Sequence, residues 1–339
     1  MKIVIMGVGR SGTTALYYLL QHILLRNFPN DVDFVYEPFL WDRNACNDDY
    51  KNIRYKFRYI DSVSIEGIYN HTKLPLFIGP ENENIENEYV KNLFAPTTPK
   101  NHLLLKMIRA NGRFRLLNRI CPTCKFIFII RNPIDVINSV SQRFSFYGED
   151  FHPSDFNRFL WELESKFNFT KDKKEIKRIK RDVLYWYYMN YYALESFEES
   201  INKPLVICFE DFVDSKKQYV ELICRHIGIS FEDDYVNIIK ENVSQSYSVP
   251  NLTKHEYNLL MPYFSKYEEL LSKYQIYNHL DRSKILIKYK NKLLDTKPAD
   301  NSFGMTTISL RKRYASHLRI KKKKFRPIKR IKKFYKICF

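Results

Sequence analysis

The sequence predicts a three-layer α/β fold, with a central parallel sheet flanked by helices. Three observations predict it. Short apolar runs that read as buried strands alternate with longer segments that read as helices. A Gly-rich turn, GVGRSGTT at 7–14, follows the first apolar run and opens a helix. A second junction of the same kind ends the run KFIFII at Arg131 and starts a helix at Pro133, a residue suited to a first helical position.

Each element follows in order. KIVIM (2–6) reads as a buried parallel strand, and TTALYYLLQHILLR (13–26) as a helix with a broad apolar face. DFVYEPF (33–39) reads as a second strand. Residues 41–100 are polar, Asn-rich and weakly periodic, and read as an insertion that shapes an acceptor pocket. HLLLKMI (102–108) is a strand and GRFRLLNRI a short helix. KFIFII (125–130) is the cleanest buried strand. Residues 154–201 read as helical, with Trp186 and the tyrosines of 185–192 in the core. PLVICFEDF (204–212) reads as a strand, SKKQYVELICRHIG as a helix ending at Gly228, and 253–276 as a helix pair. The expected folded domain is 1–290, followed by a linker and basic tail at 291–339.

The formal charge of +18 is unevenly spread. Residues 311–339 hold 14 Lys or Arg and no acid, so the rest of the chain is near +4. Nucleic acid is therefore not the expected partner of the body. The tail interleaves cations with Phe, Tyr, Ile and Leu, which suits an anionic membrane surface; a solvated tail is the plain alternative. No apolar run reaches the roughly 18 residues of a membrane span. The Gly-rich loop begins at residue 7 and leaves no room for a signal peptide before the first strand. The expectation is a cytoplasmic protein, peripheral at the inner membrane face through its tail. Six cysteines include Cys121-Pro-Thr-Cys124, a lone CxxC without a second ligand pair nearby, which reads as reduced thiols without metal. Four Asn-x-Ser/Thr sequons, at Asn70, Asn168, Asn242 and Asn251, read as chance in a chain rich in Asn.

The first loop has the GxxxxG spacing that turns backbone N–H groups inward around an anion at a helix N-terminus. The lysine that usually follows is replaced by Thr13. The cation lies inside the loop instead, as Arg10, whose planar donor fork suits a tetrahedral oxyanion. A nucleotide kinase is disfavoured by the missing lysine. In the second junction, Arg131 ends a strand where open α/β sheets bind ligands, and Ser139 lies two turns into the helix. Together they read as a grip for a second phosphate, well separated from the first.

These two motifs, in order and about 120 residues apart, resemble those of the sulfotransferases that use 3′-phosphoadenosine 5′-phosphosulfate (PAPS). GRSGTT resembles their 5′-phosphosulfate loop, and Arg131-Asn-Pro-x-Asp-x-x-x-Ser139 their 3′-phosphate motif. YEP (36–38) and LLKMIR (104–109) are similar to segments of the carbohydrate branch, and CFEDFVDSKKQYVELICRHIGI to the family's Phe/Tyr-Glu-Asp stretch. The resemblance spans about residues 1–275 apart from the insertion. It implies a P-loop-like fold, PAPS as donor, adenosine 3′,5′-bisphosphate as product and no metal. It also implies that Gly9, Arg10, Ser11, Gly12, Thr13 and Thr14 hold the 5′-phosphosulfate, and Arg131 and Ser139 the 3′-phosphate.

The acceptor hydroxyl needs a base. The small-molecule branch uses a His two residues after a Lys, but Lys106 is followed by Met-Ile-Arg. Glu37 is the candidate base, with a structural carboxylate as the alternative and His102 in reserve. Lys106 and Arg109 are candidates for stabilising charge on the transferred group. The implied activity is sulfation of a carbohydrate hydroxyl. A protein tyrosine acceptor is the runner-up, and a non-catalytic nucleotide-binding protein the reading outside enzymes.

Overall fold

In a computed structural model of the protein, residues 1–36, 75–82, 84–85, 88–94, 100–141, 162–167, 178–242 and 254–274 are described. Five strands form one parallel sheet in the order β2-β3-β1-β4-β5. They are β1 (Lys2–Met6), β2 (Val32–Tyr36), β3 (His102–Met107), β4 (Lys125–Ile130) and β5 (Leu205–Cys208). These segments are apolar nearly throughout because both faces of a parallel sheet are covered.

The alternation of side chains divides the core into two clusters. Val4, Met6, Leu105, Phe126 and Phe128 point to one face. Ile3, Ile5, Leu104, Ile127 and Ile129 point to the other. Helix α1 (Thr13–Asn27) covers the second face with Leu16, Leu20 and Ile23. On the same side lie α6 (Phe209–Asp214), α7 (Lys216–Ile227) and α8 (Asp234–Asn242). Helices α3 (Phe114–Ile120), α4 (Pro133–Ser141), α5 (Arg178–Glu198) and α9 (Lys254–Lys273) cover the first face; α2 (Glu88–Phe94) adds Val90 and Leu93 there. The result is the expected three-layer α/β architecture.

Register places the functional edge. Met6 pairs with Met107 on one side and Phe128 on the other, so β1 and β3 end level while β4 runs on to Ile130. The loop after β1 leads to α1 on one face, and the turn after β4 leads to α4 on the opposite face. That divergence opens a crevice between β1 and β4, the topological switch point of the sheet.

Several boundaries differ from the sequence reading. β5 stops at Cys208, because its partner β4 ends at Ile130 opposite it. Phe209 then begins a helix whose first turn carries Glu210 and Asp211, acids that suit a helix N-terminus. The expected helix pair at 253–276 is one helix that runs through Pro262. Its lost hydrogen bond is offset by burial of Leu260, Phe264, Tyr267, Leu270 and Leu271 on one face. The thiols expected to be reduced are a disulfide: Cys121 and Cys124 are joined, their Cα atoms held 5.5 Å apart by a tight turn. The segment that begins at Pro75 is tied down by Glu162, whose carboxylate accepts from Leu76 N–H at 2.6 Å and Phe77 N–H at 3.0 Å. The chain divides into two compact units, Met1–Arg282 and Ser283–Phe339. The second unit, with the basic tail, lies outside the described residues, as do Glu37, Cys46, Asn70, Asn168, Asn251 and most of 41–100. Among the described residues, no helix is long and apolar enough to cross a membrane.

His226, near the end of α7, packs its Nε2 3.1 Å from the Phe126 carbonyl oxygen. Burial lowers its pKa from the ordinary 6.5, and Lys125 adds to the effect. The unfolded chain therefore binds the extra proton more readily, and stability falls as pH drops through about 6.5. The melting-temperature gap between wild type and His226→Gln should narrow between pH 7 and pH 5. A gap independent of pH rejects this account.

Candidate functional site

The first loop takes its shape from backbone that few residues tolerate. Gly12 has φ 95°, and a Cβ there would lie 2.3 Å from the Phe209 ring. A Cβ on Gly7 would lie 2.6 Å from the Ile129 carbonyl oxygen. Arg10 is left-handed at φ 68°, which costs a non-glycine residue roughly 1–2 kcal/mol. Such strain persists where neighbours over-determine it. Here Arg10 is held at both ends: its carbonyl accepts from Arg131 Nη1 at 3.1 Å, and its Nε donates to Ser139 Oγ at 2.9 Å.

The two anion motifs, about 120 residues apart in sequence, touch through these bonds, because β1 and β4 are adjacent strands. Both motifs therefore line one continuous cationic edge.

The second loop is built as a capped helix start. Asn132 Oδ1 accepts from Asp135 N–H and Asn132 Nδ2 donates to Asp135 Oδ2, each at 2.9 Å, around Pro133. Glu210, in the first turn of α6 after the neighbouring strand β5, fastens this turn. Its Oε1 accepts from Asn132 N–H at 2.9 Å, and its Oε2 accepts from Cys208 Sγ at 3.1 Å and Tyr267 O–H at 3.0 Å. Burial first, and then the Glu210 carboxylate, push the Cys208 thiol and the Tyr267 hydroxyl well up, so both remain protonated donors. Trp186, fully buried as expected, donates its Nε1–H to the Arg131 carbonyl at 3.1 Å. The Arg131 guanidinium lies 4.5 Å over the Phe209 ring and 3.5 Å from Asp135. Phe209 thus packs against both Gly12 and Arg131.

The residues present fit an anion. Ser11 Oγ is buried without a hydrogen-bond partner, and so is Arg131 Nε. α1 starts with no acid in its first turn and no side-chain cap, so its N-terminal dipole is uncompensated. Thr13 is buried, Gly9 and Thr14 are half-buried, and Thr14 Oγ1 lies 3.3 Å from the Tyr36 hydroxyl. Among the described residues there is no cluster of three or more His, Cys, Asp or Glu able to hold a metal ion.

The other candidates separate. Lys106 is fully buried near the end of β3, its Nζ 4.1 Å from the Tyr36 ring centroid. Arg109 lies half-buried in the turn after β3. His102 begins β3 and so lies on the far edge of the sheet from the loops. It stacks on Phe28 at 3.9 Å and lies 3.6 Å from Asp31, which removes it as a reserve base. Sequence reasoning assigned no role to Asn132, Asp135, Phe209 or Glu210, although both stretches were singled out. It also missed Tyr36. The polar order of Asn-Pro-x-Asp was a legible cap signal; Glu210 became legible only with the pairing of β4 and β5.

The family model described as "Sulfotransferase family" matches residues 2–233. No curated protein matches the chain. Among solved structures, the chain is similar to sulfotransferase STF9 from Mycobacterium avium, at 12% identity and TM-score 0.40, covering 79% of this chain and 76% of that one. It is also similar to mouse sulfotransferase SULT7A1 complexed with PAP, at 14% identity and TM-score 0.37, covering 86% and 88%.

Glu210→Ala leaves the Asn132 N–H, the Tyr267 hydroxyl and the Cys208 thiol without their acceptor. It should lower the unfolding free energy by about 2–4 kcal/mol, read by urea denaturation. An unchanged value rejects Glu210 as the fastening of the second loop.

Proposed function

This chain belongs to the sulfotransferase family, and from that premise we propose that it moves a sulfonate from PAPS to a hydroxyl of a carbohydrate, either a glycan or a lipid-linked sugar. The observation that carries the reading is the meeting of two anion motifs on one sheet edge, through Arg10, Ser139 and Arg131. A bisphosphorylated nucleotide presents two separate anionic groups, and two adjoining cationic loops answer that charge pattern.

In this reading Gly9, Arg10, Ser11, Gly12, Thr13 and Thr14 receive the 5′-phosphosulfate, and Arg131 and Ser139 the 3′-phosphate. PAPS supplies an activated sulfonate when bound. The acceptor oxygen bonds to sulfur as the bond from sulfur to the donor's phosphate oxygen breaks, and the hydroxyl proton passes to Glu37. Arg10 and Lys106 offset the charge that develops, the work a metal performs in phosphoryl transfer. The carbohydrate acceptor is supported by YEP and LLKMIR and by the absence of a His two residues after Lys106.

Incubation with PAPS radiolabelled in the sulfonate, in the presence of cell glycan and lipid extracts, tests the reading. Label in the glycan or lipid-linked sugar fraction is the expected result. Label in protein tyrosine replaces the acceptor, and donor binding without transfer replaces the activity. Glu37→Gln should lower turnover about 10²–10⁴-fold while affinity for adenosine 3′,5′-bisphosphate holds. Near-normal turnover rejects Glu37 as the base.

We also propose that residues 311–339 attach the enzyme to an anionic membrane surface, since 14 cations with interleaved apolar residues suit it. Vesicles containing phosphatidylserine should float the full chain and not a chain ending at residue 310. Equal flotation rejects the attachment.

A further inference from the structure

We propose that Tyr36 is a positioning residue that braces the first anion loop against Lys106; this rests on the functional reading above. Tyr36 ends β2 and is paired in register with Lys106 on β3. Residues paired in register project to the same face of the sheet, so a buried ring and a buried ammonium lie side by side. The Lys106 Nζ sits 4.1 Å from the ring centroid. Lys106 is 1% exposed, so its charge has lost most of its water, and the ring's negative face supplies part of the replacement. Tyr17, from α1, packs edge-on against the same ring at 5.2 Å and 80° and fixes its plane.

The hydroxyl serves the other end. It lies 3.3 Å from Thr14 Oγ1, in the first turn of α1. A threonine hydroxyl has one proton to give and two lone pairs to receive. When the Tyr36 O–H donates to Thr14, the Thr14 proton is left to point at an anionic oxygen in the loop. A donated bond also polarises the hydroxyl and strengthens the bond it makes next. The ring and the hydroxyl therefore have separable tasks: the ring places Lys106, and the hydroxyl orients Thr14.

A double-mutant cycle on the full chain separates them, read by calorimetric affinity for adenosine 3′,5′-bisphosphate. Tyr36→Phe should weaken binding about three- to tenfold, the value of one hydrogen bond, and less than about twofold in a Thr14→Val background. Equal weakening in both backgrounds overturns the brace. Tyr36→Leu should bind the bisphosphate as Tyr36→Phe does but lower kcat about tenfold further, because it is the Tyr36 ring, not its hydroxyl, that lies against Lys106. Equal kcat for the Leu and Phe variants overturns the Lys106 half. A wild-type chain that binds no bisphosphate overturns the functional reading and this proposal with it. A wild-type chain that binds it and gives an additive cycle overturns this proposal alone.

Discussion

The carboxylate of Glu210 holds three parts of the chain at one point. It accepts from the turn after β4, from the last residue of β5 and from α9. None of these groups is close to another in sequence. Without that acceptor, the Asn132 N–H, the Cys208 thiol and the Tyr267 hydroxyl would lose a partner in a half-buried region, each at a desolvation cost. With it, the turn that carries Arg131 is fixed relative to the sheet. Arg131 in turn holds the Arg10 carbonyl, and so the first loop inherits its position from the second.

This chain of dependence explains how a strained loop persists. Arg10 sits in backbone space that favours glycine, yet a glycine would remove the guanidinium that bonds Ser139. The strain is tolerated because the carbonyl and the side chain of one residue are tied to Arg131, after β4, and to Ser139 of α4. Preorganised donors of this kind need no rearrangement when charge develops on a bound group. The cation moves from the usual position after the loop to one within it.

Lys106 illustrates a different constraint. A fully buried ammonium is costly unless other groups replace its hydration. Its place at the end of β3, against the Tyr36 ring, puts that cation beside the loop edge while keeping it out of solvent. Phe209 acts similarly for Arg131, with its ring under the guanidinium and against the glycine backbone of the first loop. Aromatic faces thus hold two of the cations at this edge.

The sequence by itself determined the layers, the parallel strands and both anion motifs. Apolar runs of strand length, glycines at set intervals and Pro133 at a helix start are local signals, and each depends on residues a few positions apart. The end of β5 was not legible, because the strand stops where its partner stops. Nor was the disulfide, since Cys121-Pro-Thr-Cys124 fits a thiol pair or a bridge equally until a turn sets the Cα distance. Only the tertiary structure decided that the two motifs touch, that Glu210 anchors one of them, and that His102 lies at the opposite edge. Strand order and register produce those three outcomes, and both are long-range pairings that no local pattern encodes.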